Sequence, residues 1–161
     1  MVEDRHNIVR AGGIRGIRRL MRALDINPQP ALNHCGLTAD MFADPDKYIA
    51  YRNVLKAIEY PYERHGIRDF GLRLAGQQDI DVLGALSLAI KSAATIRDAF
   101  IIAAKFVHFH TPAVQINITA NTQAGIERIE FHFLLENLPS LPQATEHIVA
   151  HLVGVVRLLS A

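Results

Sequence analysis

The chain has 161 residues and a formal net charge of +1, and half of its residues are hydrophobic. This composition fits one globular domain and excludes a disordered chain or a coiled coil. The single cysteine, Cys35, excludes an internal disulfide and fits a reducing cytoplasm. The longest nearly apolar run, Val82 to Ile90, is too short to cross a bilayer, and residues 1–6 lack the order of a signal peptide. We therefore expect a cytoplasmic protein that does not enter a membrane.

Residues 14–24 predict an amphipathic helix with an arginine face. Its arginines are Arg15, Arg18, Arg19 and Arg22. Such a face can contact phosphate groups, but neither interleaved aromatic residues nor a helix-turn-helix pattern accompanies it. We therefore interpret it as a solvated face, with direct nucleic-acid binding as the alternative.

Three further helices are predicted in the first half of the chain, over residues 28–35, 50–65 and 70–75. Gly36 suits the end of the first of them, and Thr38 suits the start of a short turn that follows. Pro61 predicts a kink or break in the second, because proline lacks an amide hydrogen and crowds the preceding helical turn.

Two strongly apolar helices are predicted in the middle of the chain. Residues 82–92 are apolar on nearly every face, which places this helix at the centre of the fold. Thr95 caps the next helix, which runs from Ile96 to about Val107 and has little polar surface. Both helices therefore have to be covered on several sides.

The last third of the chain predicts a β-hairpin and a final helix. Apolar residues alternate with polar ones over 114–118 and over 129–135, and a turn cluster at 121–125 separates the two runs. The final helix, about 143–159, has an apolar stripe that consists of Ile148, Leu152, Val155 and Leu159. We expect an α+β fold that is mostly helical, with a small antiparallel hairpin packed on the central helices.

Apolar surface beside this stripe predicts self-association. Val149 and Val153 add apolar area to the final helix, and the hairpin leaves open strand edges. We therefore expect a two-fold homodimer that uses the final helix or the hairpin edge.

His147 and His151 lie one turn apart on the final helix, a spacing that can bind a metal ion such as zinc. Metallopeptidases of the His-Glu-x-x-His type hold their glutamate between the two histidines, whereas Glu146 precedes the pair here. We therefore predict no metal site. A histidine-based metal or haem sensor, or a small enzyme, is the alternative.

His108 and His110 lie at the junction between the second apolar helix and the hairpin. We predict a mainly apolar cavity between the central helices and the hairpin. Its predicted ligand-binding residues are Phe106, His108, His110 and Phe131. An apolar lining with one polar anchor suits an acyl, aromatic or steroid-like small-molecule effector better than a free sugar, which needs many hydrogen-bond partners.

The sequence contains no catalytic constellation. Cys35 lies at the end of a predicted helix, where the helix dipole does not lower a thiol pKa. Ser87 lies within a predicted helix and outside a Gly-x-Ser-x-Gly motif, and the glycines at 12–16 lack the dinucleotide-binding spacing. We therefore predict neither an enzyme nor a cofactor.

Four stretches carry a family resemblance, at residues 37–49, 70–75, 83–86 and 92–100. In this order they resemble the N-terminal, arabinose-binding-like domain of AraC-family transcriptional regulators. The resemblance extends from about Ile14 to Leu159, and its motifs are turns, caps and core positions.

The resemblance implies a single effector-sensing and dimerising domain over residues 1–161 of a bacterial transcription regulator. It also implies a following DNA-binding domain with two helix-turn-helix units that is absent here, so that promoter DNA would be bound only through that domain. It identifies no ligand-contacting residue, and it does not make arabinose the ligand. The arabinose sensor of this family is a cupin-like β-barrel, which one predicted hairpin cannot form.

Overall fold

A computed structural model describes residues 6–121 and 125–160, in which seven α-helices and two antiparallel pairs of strands are found. The helices are α1 (Ile17–Ala23), α2 (Pro28–His34), α3 (Tyr51–His65), α4 (Phe70–Gly76), α5 (Ala85–Lys91), α6 (Ile96–Phe106) and α7 (Pro142–Leu159). The strands are β1 (Ile8–Arg10), β2 (Tyr48–Ala50), β3 (Val114–Asn121) and β4 (Ile126–Phe133). Short 3₁₀ turns cover Ala11–Ile14, Ala39–Phe42, Ile80–Leu83 and Val107–Phe109. The described residues form no closed barrel, and the predicted α+β class is confirmed.

The first helix begins later than its sequence pattern predicts. Residues 11–14 form a 3₁₀ turn, and α1 starts only at Ile17. Gly16 separates the two with a φ of 91°, a left-handed conformation that favours glycine. The apolar side chains of both pieces still reach the core, since Ile14, Ile17 and Met21 are almost fully buried.

The predicted continuous helix over 82–92 is wrong. Gly84 interrupts it with a φ of 63°, so that a 3₁₀ turn precedes and α5 follows. A Cβ at Gly84 would lie 1.9 Å from Nη1 of Arg10, so the arginine side chain fills the space that any other residue would need. The expected central position is also only half correct, because Leu86 and Ile90 are buried whereas Leu88 is 69% exposed.

The predicted kink or break at Pro61 does not end α3, which continues to His65. Pro61 is fully buried, and Val54, Leu55 and Ile58 of the same helix pack in the core. Burial of this face outweighs the one backbone hydrogen bond that proline removes. The helix ends instead at Gly66, whose φ is 69°.

A short strand pair, which the sequence does not predict, joins the segment before α1 to the segment before α3. β1 and β2 pair antiparallel, with Val9 opposite Ile49. Three-residue strands are too short for a recognisable alternation. The pair also binds the segment before the hairpin, because the Arg10 amide donates to the His110 carbonyl at 3.0 Å and the Thr111 hydroxyl donates to the Ile8 carbonyl at 2.6 Å.

The predicted hairpin is present as β3 and β4, with Ile116 opposite Phe131. Val114 and Ile116 are buried and face the core. Residues 122–124 of the predicted turn lie outside the described residues.

The last helix, α7, packs across α4 at very short range. A Cβ at Gly71 in α4 would lie 1.9 Å from the carbonyl oxygen of Gln143, so the two backbones touch. The side chain of Gln143 is buried there, and it accepts a hydrogen bond from the Gly71 amide and donates one to the Arg68 carbonyl. Within the described ranges, every helix is too short or too polar to span a bilayer.

Candidate ligand cavity

A cavity of about 140 Å³ lies where α3, α6, the hairpin and α7 meet. Its walls are almost entirely aliphatic and aromatic. They include Tyr51, Val54 and Ile58 of α3, Ala99, Phe100 and Ala103 of α6, Val114, Ile116 and Phe131 of the hairpin, and His147, Ile148, His151, Leu152 and Val155 of α7. The apolar stripe of α7 therefore forms one wall of the cavity.

One side of the cavity carries the imidazoles of His110, His147 and His151. His147 and His151 both place Nε2 on the side-chain oxygen of Gln78, at 2.8 and 2.6 Å. The two rings meet edge to face, with centroids 4.8 Å apart. Because they lie one turn apart on α7, both can reach the same amide.

Gln78 determines which ring nitrogens carry protons. Its side-chain nitrogen donates to the carbonyl oxygens of Gly13 and Arg15, at 3.2 and 2.7 Å. Carbonyl oxygens only accept hydrogen bonds, so the amide nitrogen faces them and the amide oxygen faces the histidines. His147 and His151 must therefore both donate from Nε2–H, which leaves Nδ1 of each neutral ring as an acceptor.

Burial keeps this histidine cluster uncharged. Desolvation lowers the pKa of His147 to about 3 and that of His110 to about 4. The Arg10 charge is the next cause for His110, and the neighbouring His151 is a further cause for both residues. Desolvation also lowers the pKa of His151, against an opposing effect of Asp79. At neutral pH, this side of the cavity is thus polar but not cationic.

Nδ1 of His110 and the hydroxyl of Tyr51 are among the polar groups of the lining residues that make no hydrogen bond to a described residue. Nδ1 of His110 is buried without one, while the rest of its ring packs against the backbone at Gly13. The hydroxyl of Tyr51 makes no hydrogen bond, although the residue is only 8% exposed. Buried polar groups are usually paired, so Nδ1 of His110, and with it the free hydroxyl of Tyr51, can pair with a polar group of a ligand.

The structure places only two of the four residues predicted to bind a ligand on the cavity wall. His110 and Phe131 line the cavity, whereas Phe106 and His108 do not. Successive residues of a helix point about 100° apart, so when Val107 faces the cavity its neighbours face elsewhere. Phe106 and His108 instead pack against the exposed ring of Phe109, with ring centroids 6.3 and 4.3 Å from its own. Ligand contact by the remaining two stays a prediction.

The sequence pattern predicts a place in the cavity neither for Gln78 and Tyr51 nor for the two histidines of α7. In the structure His147 is only 8% exposed, and the rings of His147 and His151 both line the cavity. Their spacing was a usable signal for two rings that act together. Nothing near Gln78 in the sequence indicates its partners, which are more than 60 residues away.

The described side chains suit neither metal binding nor nucleophilic catalysis. In the part of the chain that the structure describes, no three His, Cys, Asp or Glu side chains converge so as to hold a metal ion. Burial raises the pKa of the Cys35 thiol to about 11, so the thiol stays protonated at neutral pH.

Comparison with known proteins identifies the family of the chain. Residues 26–161 match the family described as the arabinose-binding domain of AraC transcription regulators, N-terminal. Over 153 residues the chain is 24% identical to the HTH-type transcriptional regulator VirS of Mycobacterium tuberculosis, in strains CDC 1551 / Oshkosh and ATCC 25618 / H37Rv. The match covers 95% of this chain and 45% of each relative, so the chain spans about half the length of the curated relatives it matches. The resemblance noted in the sequence is confirmed, and the chain belongs to the N-terminal arabinose-binding domains of AraC-type transcription regulators, a regulatory rather than an enzymatic family.

Proposed function

We propose that this domain senses a small, mainly apolar effector and forms a homodimer within a transcription regulator. The observation that carries the proposal is the cavity, because its lining is apolar and one of its walls is α7. A ligand in this position contacts the last helix of the domain directly.

The two faces of α7 support a role in passing on the signal. Ile148, Leu152 and Val155 line the cavity, whereas Val149 and Val153 on another face are 52% and 43% exposed. A ligand that shifts the inner face by a fraction of an ångström also shifts the outer face, because a helix moves as a rigid element.

The relatives support a role in transcription. They are named HTH-type regulators and are more than twice as long as the matched region. In this proposal the domain binds effector and its own copy, and promoter DNA is bound by a separate helix-turn-helix segment.

Binding of toluene to the 161-residue chain tests the sensing function. We expect toluene to perturb the methyl NMR signals of Ile148 and Val155, because both side chains line the cavity. Ala103→Leu, which fills the cavity from α6, should abolish the effect. Lys105→Leu adds a leucine at an exposed position of the same helix and should preserve the effect of toluene. Equal perturbation in both variants, or none in the wild type, would contradict the proposal.

A further inference from the structure

The chemistry of the cavity wall restricts the kind of effector further, and this step rests on the proposed sensing function. The residues that line the cavity include no lysine, arginine, aspartate or glutamate. Its titratable groups are three histidines held neutral and Tyr51, whose pKa is raised by burial. A charged ligand would therefore lose its hydration without gaining a counter-ion from the lining, which is strongly unfavourable. Arg10, whose charge acts on His110 from behind the lining, is already paired with Asp46.

The volume sets a second restriction. A cavity of about 140 Å³ is similar to the apolar protein cavities of roughly 150 Å³ that accept benzene. A single ring or a short branched chain fills this space, whereas a steroid or a long acyl chain exceeds its volume. Of the effectors expected from the sequence, the smallest therefore match this cavity best.

The unpaired polar groups set the third restriction. The hydroxyl of Tyr51 and Nδ1 of His110 both belong to wall residues, and neither has a hydrogen-bond partner in the described ranges. A purely hydrocarbon ligand would leave both groups unpaired in an apolar environment. A ligand with one hydroxyl group can pair with either of them.

We propose that the cavity binds an uncharged, single-ring or short-chain alcohol or phenol, whose hydroxyl group pairs with Tyr51 or His110. The aliphatic walls from α6 and α7 hold the hydrocarbon part. The neutral imidazoles of α7 complete a polar side that accepts hydrogen bonds without attracting anions.

Calorimetric titration of the chain with benzene, phenol and benzoate tests this proposal. These probes share one ring and differ in a hydroxyl or a carboxylate group. We expect phenol to bind about fivefold more tightly than benzene, the value of one net hydrogen bond. We expect benzoate to bind at least tenfold more weakly than phenol.

Two variants locate the hydroxyl contact. Tyr51→Phe removes one oxygen atom and His110→Leu removes the imidazole, and at least one of them should abolish the preference for phenol while benzene affinity stays within twofold. Equal affinity for benzene and phenol, tighter binding of benzoate, or an unchanged preference in both variants would overturn the proposal. If benzene binds, such a result overturns only the proposed class of effector and leaves the sensing function intact. If benzene, phenol, benzoate and toluene all fail to bind, the sensing function itself is contradicted.

Discussion

Gln78 is the residue that holds the polar side of the cavity together. Its amide group uses all of its hydrogen-bonding directions, two toward backbone carbonyls at Gly13 and Arg15 and two from the imidazoles of α7. The histidines are thereby fixed as neutral donors in a buried position. In the unfolded chain the same histidines regain an ordinary pKa near 6.5.

This difference makes stability depend on pH. The folded-state pKa values of His110 and His147, about 4 and about 3, are lower than the unfolded value, so the unfolded chain binds more protons as the pH falls below about 6.5. The free energy of unfolding should therefore decrease from pH 6 to pH 4, by about 1.4 kcal/mol per pH unit for each of these histidines. Chemical denaturation at a series of pH values measures the slope.

A pair of histidine variants provides the control. His147→Gln should reduce the slope by about 1.4 kcal/mol per pH unit, whatever its effect on stability at pH 7. His108→Gln should leave the slope unchanged, because His108 is exposed. The opposing contribution of Glu59, whose pKa is raised by burial, is present in both variants. A slope that is the same in the two variants would show that His147 is protonated in the folded state.

At the scale of secondary-structure elements, the crossing of α4 and α7 fixes the wall of the cavity. Only glycine fits at position 71, because a Cβ would meet the Gln143 backbone at 1.9 Å. Gly71→Ala should therefore destabilise the fold by about 3 kcal/mol or more, as overpacking against backbone cannot relax locally. Thermal or chemical unfolding measures the change.

Gly76, at the end of the same helix, is the matched control. A Cβ there would meet nothing within 4 Å, and its φ is not in the left-handed region. Gly76→Ala should leave stability unchanged or raise it by up to about 1 kcal/mol, the difference in helix propensity. Similar losses in both variants would mean that α7 does not cross α4 at Gly71.

The elements also show how far local sequence patterns extend. The periodicity of α6, the alternation of β3 and β4 and the stripe of α7 are properties of adjacent residues, and each predicted element is present within a few residues of its expected bounds. At Gly84 the chain breaks the helical pattern with a positive φ, and the guanidinium group of Arg10, from far earlier in the chain, lies where a Cβ would be. The apolar pattern of residues 82–92 does not show this contact.

The same distinction applies to the cavity. The sequence predicts an apolar cavity because the apolar faces of the central helices and of the hairpin have to cover one another. His110 and Phe131 lie on the wall of this cavity, as predicted. Phe106 and His108 are close to His110 in sequence, but in the 3₁₀ turn that follows α6 it is Val107 that lines the cavity. The role of Gln78 could not be predicted from local sequence, because its four hydrogen-bond partners come from both ends of the chain.

At the scale of the whole molecule, the outer face of α7 predicts a dimer. Val149, Val153 and Val156 lie on one side of the helix and are 52%, 43% and 37% exposed. The wild-type chain should sediment as a dimer at tens of micromolar, roughly the weak end of stable association. The double variant Val149→Lys, Val153→Lys should sediment as a monomer, because like charges would meet across the two-fold axis.

Ala94→Lys, at an exposed position between α5 and α6, adds the same kind of charge and should remain dimeric. A dimeric double variant would instead favour the open edges of the hairpin as the interface. A monomeric wild type would contradict the proposed assembly.

The order in which the walls of the cavity occur along the chain has a consequence for synthesis. The walls from α3, α6 and the hairpin all precede α7, so the ribosome releases the apolar lining before the helix that covers it. At roughly 5–20 residues per second, the 18 residues of α7 take about one to four seconds to make. During this interval chaperones have an apolar surface to bind, and an effector can enter the nascent domain without any opening of the finished wall.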